Sequence, residues 1–205
     1  TLRGRMRELA FLNKGVAITV TDERTDPVQS KKYCYEGGIA DFVKYLNTDK
    51  TAITDPIVFE AMRDGLLVRV AIQYTDSYTE NIYSFVNNVP TPEGGTHEIA
   101  FKTAVTKAFN DYARRIGAIK EKDANLSGDD FREGMTAVVY AGVKNPQFEG
   151  QTKGRLGNTE VKPVFEAVCL EKLSVYLDDL KHQEFAQRIV EKAIKAAKVR
   201  EASRK

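Results

Sequence analysis

The stretch NPQFEGQTKGRLGN, residues 145–158, gathers a proline, three glycines and two cations into fourteen positions, with Gln151-Thr152-Lys153 at its centre. Connections in compact domains mostly run about four to six residues, and a longer one commonly carries function. Lys153 stands between Gly150 and Gly154 with Glu149 as its nearby acid in sequence, so its charge is hard to neutralise locally. An ammonium group is a compact point charge suited to a phosphate. The residue types support two readings: a solvated loop charge, or a cation held out towards an anionic group.

Three other clusters carry possible chemistry. Gly94-Gly95-Thr96-His97 precedes a helical pattern, where glycines can expose backbone donors to an anion. It lacks the lysine spacing of a P-loop and reads equally as a helix start, with Thr96 placed to cap. Asp129-Asp130 follow Ser127, and carboxylates in a first turn favour the helix dipole, so capping competes with metal binding there. Asp178-Asp179 read as caps or a solvated face. His97 and His182 lie far apart, and Cys34 and Cys169 have no evident activating partner. No nucleophile–base pair emerges, so no residue is given a catalytic role. No spacing suits zinc, so no metal ligand is assigned.

The elements that must position these residues come next. With 205 residues, 42% hydrophobic and 29% charged, the chain is expected to fold around a real core as one domain or two small ones. Both cysteines sit among apolar neighbours and are expected as small buried hydrophobes in a reducing compartment. The net charge of +2 says little about nucleic acid, but Glu184–Lys205 holds seven Lys or Arg against three Glu. The opening TLRGRMRELAFLN is basic and helix-like and starts without methionine, as a piece of something longer would.

Period-two alternation predicts strands at 16–23 and 31–35, joined by a turn at Asp26-Pro27. Ile39, Phe42, Val43 and Leu46 predict a helix. Residues 56–62 and 66–75 flank Asp64-Gly65, a strong hairpin signal, and 81–89 reads as one further strand. A helix from Thr96 has the stripe Phe101, Ala104, Val105, Ala108 and Tyr112. Residues 135–143 predict a buried strand, and a helix follows from Val161, tolerating Pro163 in its first turn. The last helix, 184–203, has a thin stripe of Phe185, Ile189, Val190 and Ala193 and is expected to leave the domain. The order gives an α+β layer, a mostly antiparallel mixed sheet with helices on one face.

The run SYTENIYSFVNNVPTPEGGTHEIAFKTAVTKAFNDYAR followed by LSGDDFREGMTAVVYAGVKNPQFEGQTKGRLGN resembles the second, transducer domain of the ATP-hydrolysing subunits of type IIA topoisomerases, and above all that of DNA gyrase B. ELAFLNKGVAITVTDER, YEGGIADFVKYLN and KAAKVREASRK fit the same pattern, so the resemblance spans essentially the whole chain. It implies a ribosomal protein S5 domain 2-like fold with a long C-terminal helix. The implied division is 1–15 as the end of a linker from an ATPase domain, 16–180 as the transducer, and 181–205 as a basic helix leading to a Toprim domain. It implies a bacterial cytoplasmic protein in which two gyrase B chains form a homodimer and join gyrase A in an A2B2 assembly on double-stranded DNA. ATP and Mg2+ would be held mainly in the domains outside this chain, and the chain alone would hydrolyse and cleave nothing.

The resemblance also gives the lysine a role. Lys153 is implied to contact the ATP γ-phosphate, with Gln151 hydrogen-bonding beside it and Thr152 shaping the turn. Lys102 matches a cationic position lining a DNA-holding cavity, and Lys107 is expected to share its face; both also read as exposed helix lysines. The topoisomerase IV counterpart of gyrase B is a close alternative, and a stand-alone S5-like nucleic-acid-binding module is a more distant one.

Overall fold

The computed structural model describes residues 1–205. The chain opens with α1 (Leu2–Leu12), a ribbon of β1 (Ile18–Asp22) and β2 (Gln29–Tyr33), and α2 (Ile39–Leu46). Then come β3 (Ile57–Arg63), β4 (Leu66–Tyr74), β5 (Asn81–Val86) and β6 (Val89–Pro90). Helices α3 (Thr96–Arg115) and α4 (Gly128–Arg132) lead into β7 (Met135–Gly142). A small hairpin of β8 (Phe148–Glu149) and β9 (Arg155–Leu156) precedes α5 (Val161–Asp178), a 3-10 turn and α6 (Gln183–Ser203).

The main sheet has the order β3-β4-β7-β5-β6. All its pairs are antiparallel except β5 with β7. A parallel pair needs a crossover, and α3 and α4 supply it. Asp64 and Gly65 both take left-handed φ, 51° and 76°, as a tight hairpin turn requires. Asn87 and Asn88 do the same at 48° and 68°, so 81–89 is not one strand but a hairpin folding back as β6. Asparagine enters that conformation more readily than most residues, and the Asn87 amide is held there by donating to the Val143 carbonyl at 2.7 Å and accepting its N–H at 2.8 Å.

β4 and β7 are central and covered on both faces, which is why they read as near-continuous apolar runs. Val68, Val70 and Ile72 of β4 join Ala137 and Val139 of β7, Phe101, Val105 and Phe109 of α3, and Phe165 and Val168 of α5 in the larger core. The opposite face is covered as well: Phe11 and Leu12 of α1 and Phe42 and Val43 of α2 pack on Ala71, Phe85, Val138 and Tyr140. Each of these valine, leucine, isoleucine and phenylalanine side chains, fully removed from water, contributes about 1.5–3 kcal/mol.

Helix α6 both completes the core and extends from it. Ile189, Val190 and Ala193 belong to the larger cluster, whereas Val199 and the last turn are exposed. The stripe is thin because alanines at 186, 193 and 197 allow close approach, so low hydrophobicity understated the packing. Cys169 is buried as expected, but Cys34 is exposed, on the segment that leaves the ribbon for α2. No helix is long and apolar enough to cross a membrane.

Candidate functional site

Gln151, Thr152 and Lys153 form the exposed tip of the β8–β9 hairpin. Lys153 has a φ of 54°, a left-handed conformation that costs a non-glycine residue on the order of 1 kcal/mol. Glu149, its acidic neighbour, is engaged elsewhere: its Oε2 lies 3.0 Å from Arg155 Nε across the neck of the hairpin. Lys153 is left with no ion pair.

The base of the loop is as fixed as its tip is free. Asn158, 2% exposed, accepts from the Gln147 backbone N–H at 2.5 Å and donates to the Asn145 carbonyl at 3.1 Å. Leu156, fully buried, donates its N–H to the Gly94 carbonyl at 3.1 Å and forms a parallel bridge with Gly95. The Glu93 N–H donates to the Gly154 carbonyl at 2.9 Å, and Arg155 Nη1 donates to the Glu93 carbonyl at 3.2 Å. The loop is thus stitched to the residues that begin α3.

Those bonds explain the paired glycines. A Cβ on Gly95, whose φ is 137°, would lie 2.5 Å from both the N and the O of Leu156. Only glycine lets β9 cross there. The start of α3 is therefore covered by β9, which removes the anion-cradle reading of Gly94-Gly95. Thr96 does not cap either: Gly95 holds the N-cap position, and the Thr96 hydroxyl is buried without a partner. The crossing backbone, rather than a side-chain cap, closes this helix end. His97 is fully buried beneath, with Nε2 3.3 Å from Thr91 Oγ1 and its ring edge-on to Phe165. Burial pushes its pKa down to about 4, so it is neutral near pH 7.

Further along α3, Lys102 and Lys107 border one groove of about 630 Å3, together with Thr106, Asn110, Asn125 and Arg132. Both are partnered. Lys102 Nζ lies 3.7 Å from Glu80 and 3.9 Å from Glu98, and Lys107 Nζ lies 3.3 Å from Asp111. Arg132, which no sequence pattern singled out, pairs with Glu80 at 2.9 Å and Asp129 at 2.8 Å. Its signal was local, a cation three residues after Asp129 in a capped turn. The groove is of mixed charge, and the more exposed lysine pairs contribute about 0–1 kcal/mol each, whereas the Arg132 side chain is only 12% exposed.

Asp130 is a cap: with Ser127 it completes a capping box at the start of α4. No three His, Cys, Asp or Glu side chains converge in a way that could hold a metal ion. The structure thus brings Lys102 and Lys107 to one groove and Gln151 and Lys153 to a separate loop, and α3 is the element joining them.

A family model described as DNA gyrase B matches residues 38–205. The DNA gyrase B protein of Clostridium acetobutylicum is 49% identical over 207 residues, covering 100% of this chain and 32% of that protein. The corresponding B protein of DNA topoisomerase 4 from Enterococcus faecalis is 49% identical over 202 residues, 98% of this chain and 29% of that one. The crystal structure of the 43K ATPase domain of Thermus thermophilus gyrase B, in complex with an aminocoumarin, superposes with a TM-score of 0.89 at 35% identity. That match covers 99% of this chain and 54% of the solved one. Measured against the C. acetobutylicum relative, the chain spans 32% of the full length.

Proposed function

The chain belongs to the DNA gyrase B family, and on that premise we propose that it is the transducer of an ATP-driven type IIA topoisomerase. In this role it couples the state of ATP, held with Mg2+ in a part of the longer protein, to passage of one DNA duplex through another. Lys153 and Gln151 bind the terminal phosphate, Lys153 as a point charge and Gln151 as a hydrogen-bond donor. The contact exists only while that phosphate is present, so its loss shifts the balance between two arrangements of neighbouring domains.

The observation that carries this reading is the contrast within one hairpin. Its tip is an exposed lysine without an acidic partner, and its base is bonded to the start of α3. A solvated loop charge needs no such mounting. In the same reading Lys102 and Lys107 meet phosphates of the transported duplex without reading its sequence, in a cavity shared by the two gyrase B chains of an A2B2 assembly with gyrase A. The proposed division keeps 1–15 as the end of the connection from the ATPase region, 16–180 as the transducer and 181–205 as the helix towards the Toprim region. The burial of Phe11 and Leu12 at one end and Ile189 and Val190 at the other means that the folded layers grip both connections.

Lys153→Ala in the full-length protein tests the reading. One charge-assisted bond is worth about 1.5–3 kcal/mol, so ATP-dependent supercoiling is expected to fall roughly 10- to 150-fold with the fold intact. Unchanged ATP turnover and supercoiling in that variant would remove the sensing role. The equal identity to a topoisomerase 4 relative favours a second assignment within the family. Negative supercoiling of relaxed plasmid by the reconstituted protein supports the gyrase assignment, and strand passage without it supports the other.

A further inference from the structure

Asp129-Asp130 stood out in the sequence, and only one of the two pairs with a residue that lines the groove, Arg132. Consecutive helical residues point about 100° apart, and here the two carboxylates serve different elements. Asp129 Oδ1 accepts at 2.8 Å from Nη2 of Arg132, which lines the groove. Asp130, 4% exposed, turns the other way, and its Oδ2 lies 2.9 Å from Arg200 Nη1 near the end of α6. The same oxygen accepts the Ser127 N–H at 3.2 Å, and Arg200 also donates to the Ser127 hydroxyl. One guanidinium therefore grips both members of the capping box that starts α4.

The groove side is as tightly joined. A Cβ on Gly128 would lie 2.8 Å from Thr106 Oγ1 of α3, so α4 sits directly against the helix that carries Lys102 and Lys107. Arg132 reaches from α4 to Glu80, the carboxylate that also partners Lys102. A phosphate that draws Lys102 and Arg132 towards itself has to loosen Glu80 and Asp129, and both changes act on a helix of five residues.

We propose that α4 is a junction through which a duplex in the groove sets the position of the exit helix α6, with Arg200 as the positioning residue. The inference rests on the reading that the groove holds DNA. Breaking a charge pair at a buried carboxylate leaves that carboxylate uncompensated. The end of α6, otherwise exposed beyond Ala197, then loses its lateral anchor.

The test uses the full-length protein assembled with gyrase A on linear duplex DNA, comparing R200Q, R200K and K102E with the unaltered protein. ATP turnover is measured without DNA and with it. R200Q is expected to keep its basal turnover within about twofold and to lose about tenfold of the DNA stimulation, the scale of a coupling between two sites. R200K, which restores a cation to Asp130, is expected to recover most of that loss. Full DNA stimulation in R200Q would overturn the junction. A parallel fall in basal turnover and thermal stability would also overturn it, reducing the pair to a fold anchor. K102E separates the two possible failures. If K102E loses stimulation while R200Q keeps it, only the junction falls; if K102E is also stimulated normally, the groove reading falls and takes the junction with it.

Discussion

Gly95→Ala is the sharpest test of how the loop is mounted. The added Cβ would stand 2.5 Å from Leu156 N and O and 2.7 Å from Leu156 Cβ. Two of these atoms are backbone, and Leu156 is fully buried, so nothing flexible can give way. Overpacking of this kind costs about 1–3 kcal/mol. Holding alanine at a φ of 137° adds a further 1–3 kcal/mol or so. A total near 4 kcal/mol lowers the melting temperature of a chain of this size by about 8–16 °C. Gly117→Ala is the control, since Gly117 has a φ of 74° but nothing within 4 Å of its would-be Cβ. It carries the backbone cost alone, about 1 kcal/mol, or 2–4 °C. Thermal unfolding followed by circular dichroism compares the two directly. At a temperature where Gly95→Ala is still folded, the full-length protein is also expected to lose supercoiling as Lys153→Ala does, because the lysine has lost its mount. Equal melting temperatures for the two alanine variants would refute the claim that β9 crosses the start of α3.

Two more outcomes follow from buried groups. His97 is neutral in the fold, its pKa lowered by burial to about 4 from 6.5, so the unfolded chain takes up the proton first as pH falls. Stability is expected to hold above pH 6.5 and to decline by roughly 3 kcal/mol between pH 6.5 and 4, a slope that urea unfolding should find missing in H97Q; equal slopes would count against it. Burial also pushes the Cys169 thiol up, whereas Cys34 is exposed. A maleimide should therefore add once to the native chain, at Cys34, by mass spectrometry, and a native adduct on Cys169 would contradict the packing of α5.

What the sequence shows well is what local chemistry decides. Asp64-Gly65 named its own turn, the stripe from Phe101 to Tyr112 named its helix, and the glycines around Lys153 marked an exposed tip. What it hides is decided by partners distant in the chain. Thr96 has the residue type of a cap but sits one position inside the helix, because β9, some sixty residues later, closes that end. Asn87-Asn88 lies within an apolar run and became visible as a turn only through pairing of Phe85 with Pro90. Cys34 has apolar neighbours in sequence, yet the strand before it belongs to a two-stranded ribbon with few layers around it. The candidate site divides in the same way: Lys153 stands out by residue type between its glycines and Lys102 enters only through the resemblance, whereas Asn158, Gly95 and Arg132 acquire meaning only in three dimensions.

In the proposed role the mounting matters because one lysine is too weak to throw a switch. Moving a two-state balance from one side to the other takes about 5.5 kcal/mol, against about 1.5–3 kcal/mol for one charge-assisted hydrogen bond. Adding Gln151 brings in one ordinary hydrogen bond of about 0.5–1.5 kcal/mol. Two copies of the loop in the proposed dimer would then reach roughly 4–9 kcal/mol, a range that includes the requirement. That sum acts on domain geometry only if little of it is lost in ordering the loop, since fixing one residue's backbone costs about 1–2 kcal/mol. A tip on a freely moving loop of five residues would spend the whole gain on its own ordering. The bonds from Gly154, Arg155 and Leu156 to Glu93 and Gly94 fix one side of the hairpin in advance. Asn158 fixes the other side through Gln147, so in the proposed role the contact at Lys153 would be delivered to α3 as displacement rather than absorbed as local order.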